Sequence, residues 1–173
     1  MPDLPPPSLP LGLRKEMGEF IPSCVPPAVP VEGCTCEPAA PDVLQELRGT
    51  IEGPPGSPYE GFSIPYSITV PDEWPFKPVK FLFSPQPLLH PNVDVGTGKP
   101  CLDLLADSWS PGMTLAQLLR SVRCVFMADP NPNPGVNTEA SRLFTSDRAA
   151  FNAAVRAHCE KNYPASGGGG GGV

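Results

Sequence analysis

Alternation is clearest over residues 62–70, where Phe62, Ile64, Tyr66, Ile68 and Val70 are separated by Ser63, Pro65, Ser67 and Thr69. A period of two puts one set of side chains on a single face, so this segment predicts a β-strand laid on a core. Pro65 has no N–H for a ladder, which places it at an edge or a bulge. Residues 47–51 and 79–83 predict two further strands. Between the first two lies Gly53-Pro54-Pro55-Gly56-Ser57-Pro58, a run of turn formers that calls for a hairpin. Short connections make antiparallel neighbours the economical topology.

After residue 113 the period changes. Thr114 with Gln117 forms a capping box, and Leu115, Leu118, Leu119, Val122, Val125 and Phe126 recur at the three-and-four spacing of one buried helix face. Asp129-Pro130-Asn131-Pro132-Asn133-Pro134-Gly135 stops that helix. Residues 139–144 and 147–163 predict two more, the last started by Ser146 and ended before Pro164. Strands followed by helices indicate the α+β class. Three zones result: a Pro-rich segment over 1–41, extended or loosely packed apart from a short helix near Leu13; a compact domain over 42–164; and a disordered Gly-rich tail over 165–173.

At 173 residues the chain has room for one domain with a real core. A net charge of -6 supplies no cationic footprint, so nucleic acid is not an expected partner. No run approaches the twenty or so apolar residues of a membrane span, and Met1-Pro2-Asp3 does not begin a secretory signal, which predicts a soluble intracellular protein without membrane insertion. In that setting Cys24, Cys34, Cys36, Cys101, Cys124 and Cys159 read as thiols. Cys34-Thr35-Cys36 has no second ligand pair to complete a zinc framework, so the two are read as loop cysteines and no metal is expected.

The chemistry concentrates between the last strand and the first long helix. His90-Pro91-Asn92 is followed by Cys101-Leu102-Asp103-Leu104-Leu105 and then by Trp109-Ser110-Pro111. In order and spacing this closely resembles the active-site region of ubiquitin-conjugating enzymes. The resemblance extends over residues 44–164, through Gly53 to Gly61, Trp74-Pro75-Phe76-Lys77-Pro78-Val79-Lys80 and Asp129-Pro130-Asn131-Pro132. It implies the ubiquitin-conjugating-enzyme fold: a short N-terminal helix, an antiparallel meander sheet, a central helix and C-terminal helices.

The resemblance further implies a carrier that accepts ubiquitin or a ubiquitin-like protein on Cys101 from the activating enzyme. It then delivers this cargo to a substrate lysine or to a RING-type or cysteine-type ligase. Asn92 is the candidate for oxyanion stabilisation, with bracing of its own loop as the rival and compatible role. His90 is expected to hydrogen-bond structurally, with Pro91 and Asp103 in support. Phe76, Pro111 and Gly112 match ligase-docking positions, unless Phe76 packs under its own prolines, and Arg14 and Lys15 match the activating-enzyme surface. No cofactor is implied, since ATP is used by the activating enzyme.

Members are usually monomers in the cytosol or nucleus. Asn137-Thr138-Glu139-Ala140 has a faint likeness to the peroxisomal subgroup, which would add recruitment to that membrane. Pro134 stands where many members carry an acidic or Ser side chain that assists the incoming lysine, which leaves two expectations: Asn133 or Asp103 contributes instead, or lysine transfer is slow and a ligase or cysteine acceptor is preferred. Two other readings stay open: an inactive ubiquitin-binding variant, and a cysteine hydrolase, which would need His90 or His158 beside Cys101.

Overall fold

The computed structural model describes residues 31–40, 43–101, 109–133 and 135–166. Four antiparallel strands form one sheet in the order β1-β2-β3-β4: β1 Glu37–Ala40, β2 Val43–Glu52, β3 Ser63–Thr69 and β4 Lys80–Phe83. The register sets Ile51 opposite Ile64, Leu47 opposite Ile68, and Ile68 opposite Phe81. One face of the sheet therefore carries the buried residues Leu47, Ile51, Ile64, Tyr66, Ile68, Phe81 and Phe83.

Helix α1 Leu115–Ser121 supplies Leu115, Leu118 and Leu119 to this core, starting at the Thr114–Gln117 capping box that the sequence predicted. A π-helical turn, Val122–Phe126, continues it. Helices α2 Thr138–Ser146 and α3 Arg148–Asn162 follow, and Phe144 meets Phe151 edge to face with ring centroids 5.1 Å apart. The class is α+β, as expected. Among the described residues no helix is long and apolar enough to cross a membrane, and no cluster of His, Cys, Asp or Glu is placed to hold a metal ion.

Five local expectations change. Pro65 lies in an inner strand rather than at an edge or bulge. Both main-chain groups of its partner Thr50 turn to Thr35, so β2 asks nothing of Pro65. The Pro65 carbonyl accepts from the Ser84 N–H at 3.3 Å, so its nitrogen also faces the side where β4 has just ended.

Val125, expected on the buried helix face, is 64% exposed. In the π turn the Met127 N–H reaches back five residues to the Val122 carbonyl at 3.0 Å. The wider turn keeps Phe126 in the core, as expected, and brings in Met127 in place of Val125. Helix α3 is capped by Asp147, whose carboxylate accepts from the Ala150 N–H at 2.9 Å, while Ser146 bonds back to the Arg142 carbonyl.

The ends of the domain also differ. Val31, Cys34 and Cys36 are buried, and β1 pairs with β2, so residues 31–40 are packed rather than loose, and the two cysteines are core residues. At the other end Ala165 bridges to Phe62, and the Ser166 N–H donates to the Gly61 carbonyl at 2.9 Å, where the sequence suggested the start of the tail. The short helix near Leu13 falls outside the described residues.

Candidate active site

Three consecutive residues after β4 each bind a different point beyond the central helix. The Asn92 N–H donates to His90 Nδ1 at 3.0 Å. Nδ1 must therefore be the lone-pair nitrogen, and Nε2 carries the proton that it gives to the Phe126 carbonyl at 2.9 Å. The ring is fully buried and stacks on Phe126 at 4.2 Å between centroids. Burial pushes the His90 pKa down to about 4, against a smaller upward pull from the Phe126 carbonyl. The imidazole is neutral near pH 7 and both nitrogens are committed.

The Pro91 carbonyl accepts from the Asn137 N–H at 2.9 Å, and Asn137 Oδ1 caps α2 through the Ala140 N–H at 3.1 Å. Asn92 Oδ1 accepts from the Asn131 N–H at 3.0 Å. Phe126, Asn131 and Asn137 are thereby gathered onto His90, Pro91 and Asn92.

Residues 92–101 fold back as a short hairpin. The Cys101 N–H donates to the Asn92 carbonyl at 2.7 Å and the Asp94 N–H to the Lys99 carbonyl at 3.0 Å, with Val93 opposite Pro100 between them. That register asks no N–H of Pro100. At the tip the Asp94 carboxylate accepts from the Thr97 hydroxyl at 2.7 Å and from the Thr97 and Gly96 N–H groups at 2.8 and 3.2 Å. These bonds, the Thr97 hydroxyl foremost, hold its carboxyl below the usual range.

Gly98 has φ +71°, and a Cβ there would run into the Phe83 carbonyl oxygen; its own carbonyl accepts from the Phe83 N–H at 2.9 Å. The hairpin is thus anchored to the end of β4. Cys101 emerges exposed, whereas Cys34 and Cys159 are buried with thiol pKa values pushed up to about 12 by desolvation. Cys124, on the π turn, is the other exposed thiol among the described residues.

A second pair of loops comes together nearby in sequence. The Trp109 indole N–H donates to the Pro75 carbonyl at 2.9 Å, and Trp74 and Trp109 lie 5.2 Å apart between ring centroids. This holds exposed Pro111 and Gly112 on the loop bonded to the one that carries Phe76. Phe76 is 77% exposed, so it does not pack under its own prolines. Arg14, Lys15, Asp103 and Pro134 lie outside the described residues.

The family model for ubiquitin-conjugating enzymes matches residues 27–159, well over half of the chain. The chain belongs to the ubiquitin-conjugating enzyme family. A solved structure, the E2 domain of a Toxoplasma gondii ubiquitin conjugating enzyme, matches with a TM-score of 0.74 and 28% identity, covering 89% of this chain and 97% of that chain. In this family member the sequence singled out His90, Pro91, Asn92 and Cys101, and the structure brings all four onto one hairpin and its entry. The anchors at Phe126, Asn131 and Asn137 were missed as partners, because nothing in linear spacing ties them to residues some forty positions earlier.

Proposed function

We propose that this ubiquitin-conjugating enzyme carries ubiquitin, or a ubiquitin-like protein, as a thioester on Cys101. The Cys101 thiolate attacks the activating enzyme's thioester carbonyl, the activating enzyme's sulfur leaves, and the acyl group passes later to a lysine amine or a ligase thiol. The observation that carries this reading is the presentation of Cys101: an exposed thiol on a main-chain-anchored hairpin, whose entry is held by a histidine with both ring nitrogens occupied.

A hydrolase needs a base to activate water, and a carrier is better without one, because water activation would discharge its cargo. The other histidine is engaged too, with Nε2 at 2.9 Å from the Pro87 carbonyl and Nδ1 at 3.3 Å from the Asn162 amide. Asn92 combines both assigned roles. Its oxygen braces the 131 loop, and the opposite end of the same amide is of the kind that stabilises an oxyanion. Phe76 with Pro111 and Gly112 is the proposed ligase surface, where an exposed aromatic adds contact area at small entropic cost. Arg14 and Lys15 are the proposed activating-enzyme contact.

The test is to incubate the protein with ubiquitin, activating enzyme and ATP, then separate the products with and without a reducing agent. A reducible adduct is expected, discharging faster to free cysteine than to free lysine because Pro134 offers the amine no proton acceptor. No adduct would leave the inactive binding variant. Free ubiquitin released from a linear ubiquitin fusion would leave the hydrolase.

A further inference from the structure

We infer that Tyr163 and Tyr59 are positioning residues for the candidate active site: their hydroxyls hold the segment that runs from β4 into His90, and so set where the Cys101 hairpin begins. The consequence for transfer rests on the thioester at Cys101 proposed above. β4 ends at Phe83, and residues 86–89 belong to no strand or helix, so no ladder takes up their carbonyls. Side chains do so instead. The Tyr163 hydroxyl donates to the Pro87 carbonyl at 2.9 Å, with the Gln86 carbonyl also in reach at 3.2 Å. His158 Nε2 donates to the same Pro87 carbonyl at 2.9 Å. Two residues on, the Tyr59 hydroxyl donates to the Leu89 carbonyl at 2.8 Å, and the Tyr59 ring stacks on His90 with 6.3 Å between centroids.

The two tyrosines belong to one frame. Tyr163 closes the last turn of α3, its N–H donating to the Cys159 carbonyl at 2.8 Å. Just beyond it the Ser63 N–H donates to the Pro164 carbonyl at 3.0 Å and the Ser166 N–H to the Gly61 carbonyl at 2.9 Å, with Phe62 opposite Ala165. The paired stretch 61–63 begins two residues after Tyr59. Both rings are buried, and burial pushes both hydroxyl pKa values up, so each keeps the proton that it donates.

From this frame to the thiol the path is main chain. Leu89 leads into His90, Pro91 and Asn92, and the Asn92 carbonyl takes the Cys101 N–H at 2.7 Å. Phe126, Asn131 and Asn137 hold the segment downstream, and the tyrosines hold it upstream. Loss of one hydroxyl frees an end of the segment, and a displacement of Asn92 passes to Cys101 through their shared bond. Misplacement of a reacting group by about 1 Å costs up to about a hundredfold in rate, so a partial shift is enough to read.

The experiment compares the wild type with Tyr163→Phe and Tyr59→Phe, each of which removes one oxygen and keeps the ring. The two act at opposite ends of the segment, so loss of the fold in one leaves the other to decide. In the full chain without ubiquitin, exchange of the Cys101 N–H with solvent, followed by NMR, is expected to quicken by about tenfold more than that of the Leu118 N–H. Leu118 bonds to the Thr114 carbonyl in the central helix and reports general loss of stability. After charging with ubiquitin, activating enzyme and ATP, single-turnover discharge to saturating free cysteine is expected to slow by about tenfold, with the KM for the activating enzyme unchanged. Equal quickening at the two amides, or discharge at the wild-type rate, would overturn the inference. Absence of a reducible adduct on the wild type would instead remove the carrier reading, and the amide exchange would still decide whether the tyrosines position the hairpin.

Discussion

The two arms of the hairpin that ends at Cys101 are held in opposite ways. His90, Pro91 and Asn92 enter it buried, and each is bonded to a different residue beyond the central helix. Lys99 and Cys101 leave it exposed, positioned through their main chains and through the buried Pro100 between them. The entering arm resembles core and the leaving arm resembles an edge. The lesson is a division of labour: polar groups that in many enzymes would react are spent on geometry, and the thiol proposed to carry the cargo is left exposed.

The sharpest break of this comparison is Cys101→Ser. On an exposed position it should move the melting temperature by no more than about 2 °C, while the reducible ubiquitin adduct falls below detection. An adduct surviving on the mutant would shift the site to Cys124, the other exposed thiol among the described residues.

His90→Ala should behave in the reverse manner. It strands the Asn92 N–H and the Phe126 carbonyl in a dry core and removes a stacked ring. The expected loss is about 3 to 5 kcal/mol, roughly 10 °C in melting temperature, with charging retained when assayed well below the transition. Lost charging at an unchanged melting temperature would make His90 a reacting group.

The same histidine sets a pH window. Its pKa is about 4 folded against 6.5 for the free side chain, so between these values the unfolded chain binds more protons and stability drops as pH falls. The contribution is complete above about pH 6.5 and gone below about pH 4, and amounts to about 3 kcal/mol. Because carboxylates titrate in the same range, the measurement is the stability difference between wild type and His90→Gln. It should narrow by that amount on acidification.

Asn92→Ala is the mildest perturbation and the one that sits on the boundary between the arms. Discharge to free amine should slow by about tenfold to a hundredfold, beyond any loss in charging. Equal losses in both steps, with a lower melting temperature, would assign Asn92 to bracing alone through the Asn131 N–H.

What the sequence made legible was local. The alternation of Ile64, Tyr66 and Ile68 and the pairing of Thr114 with Gln117 appear in the structure as read, because strand period and capping depend on near neighbours. Burial of Cys34 and Cys36 was hidden, since a segment broken by Pro and Gly gives no period to detect. Val125 was misplaced for the same kind of reason: a π turn changes the period without any marker residue. At the site the motif pointed to Cys101 and its neighbours. The clamps on residues 126–137 are contacts between distant stretches of chain, and these only the fold reveals.

Gly98 has an engineering consequence. With its carbonyl bonded to the Phe83 N–H and its Cα pressed to the Phe83 carbonyl, it fixes where the leaving arm begins, just as Asn92 fixes where the entering arm ends. The tip between these two fixed points is residues 95–97, exposed to solvent and tied by side chains within the hairpin itself, through Asp94 and Thr97. Residue 96 is therefore the place to graft a short reporter or an affinity handle: an insertion there gives up the Asp94 bonds of the tip but leaves the Phe83 and Asn92 anchors at the base of the two arms in place.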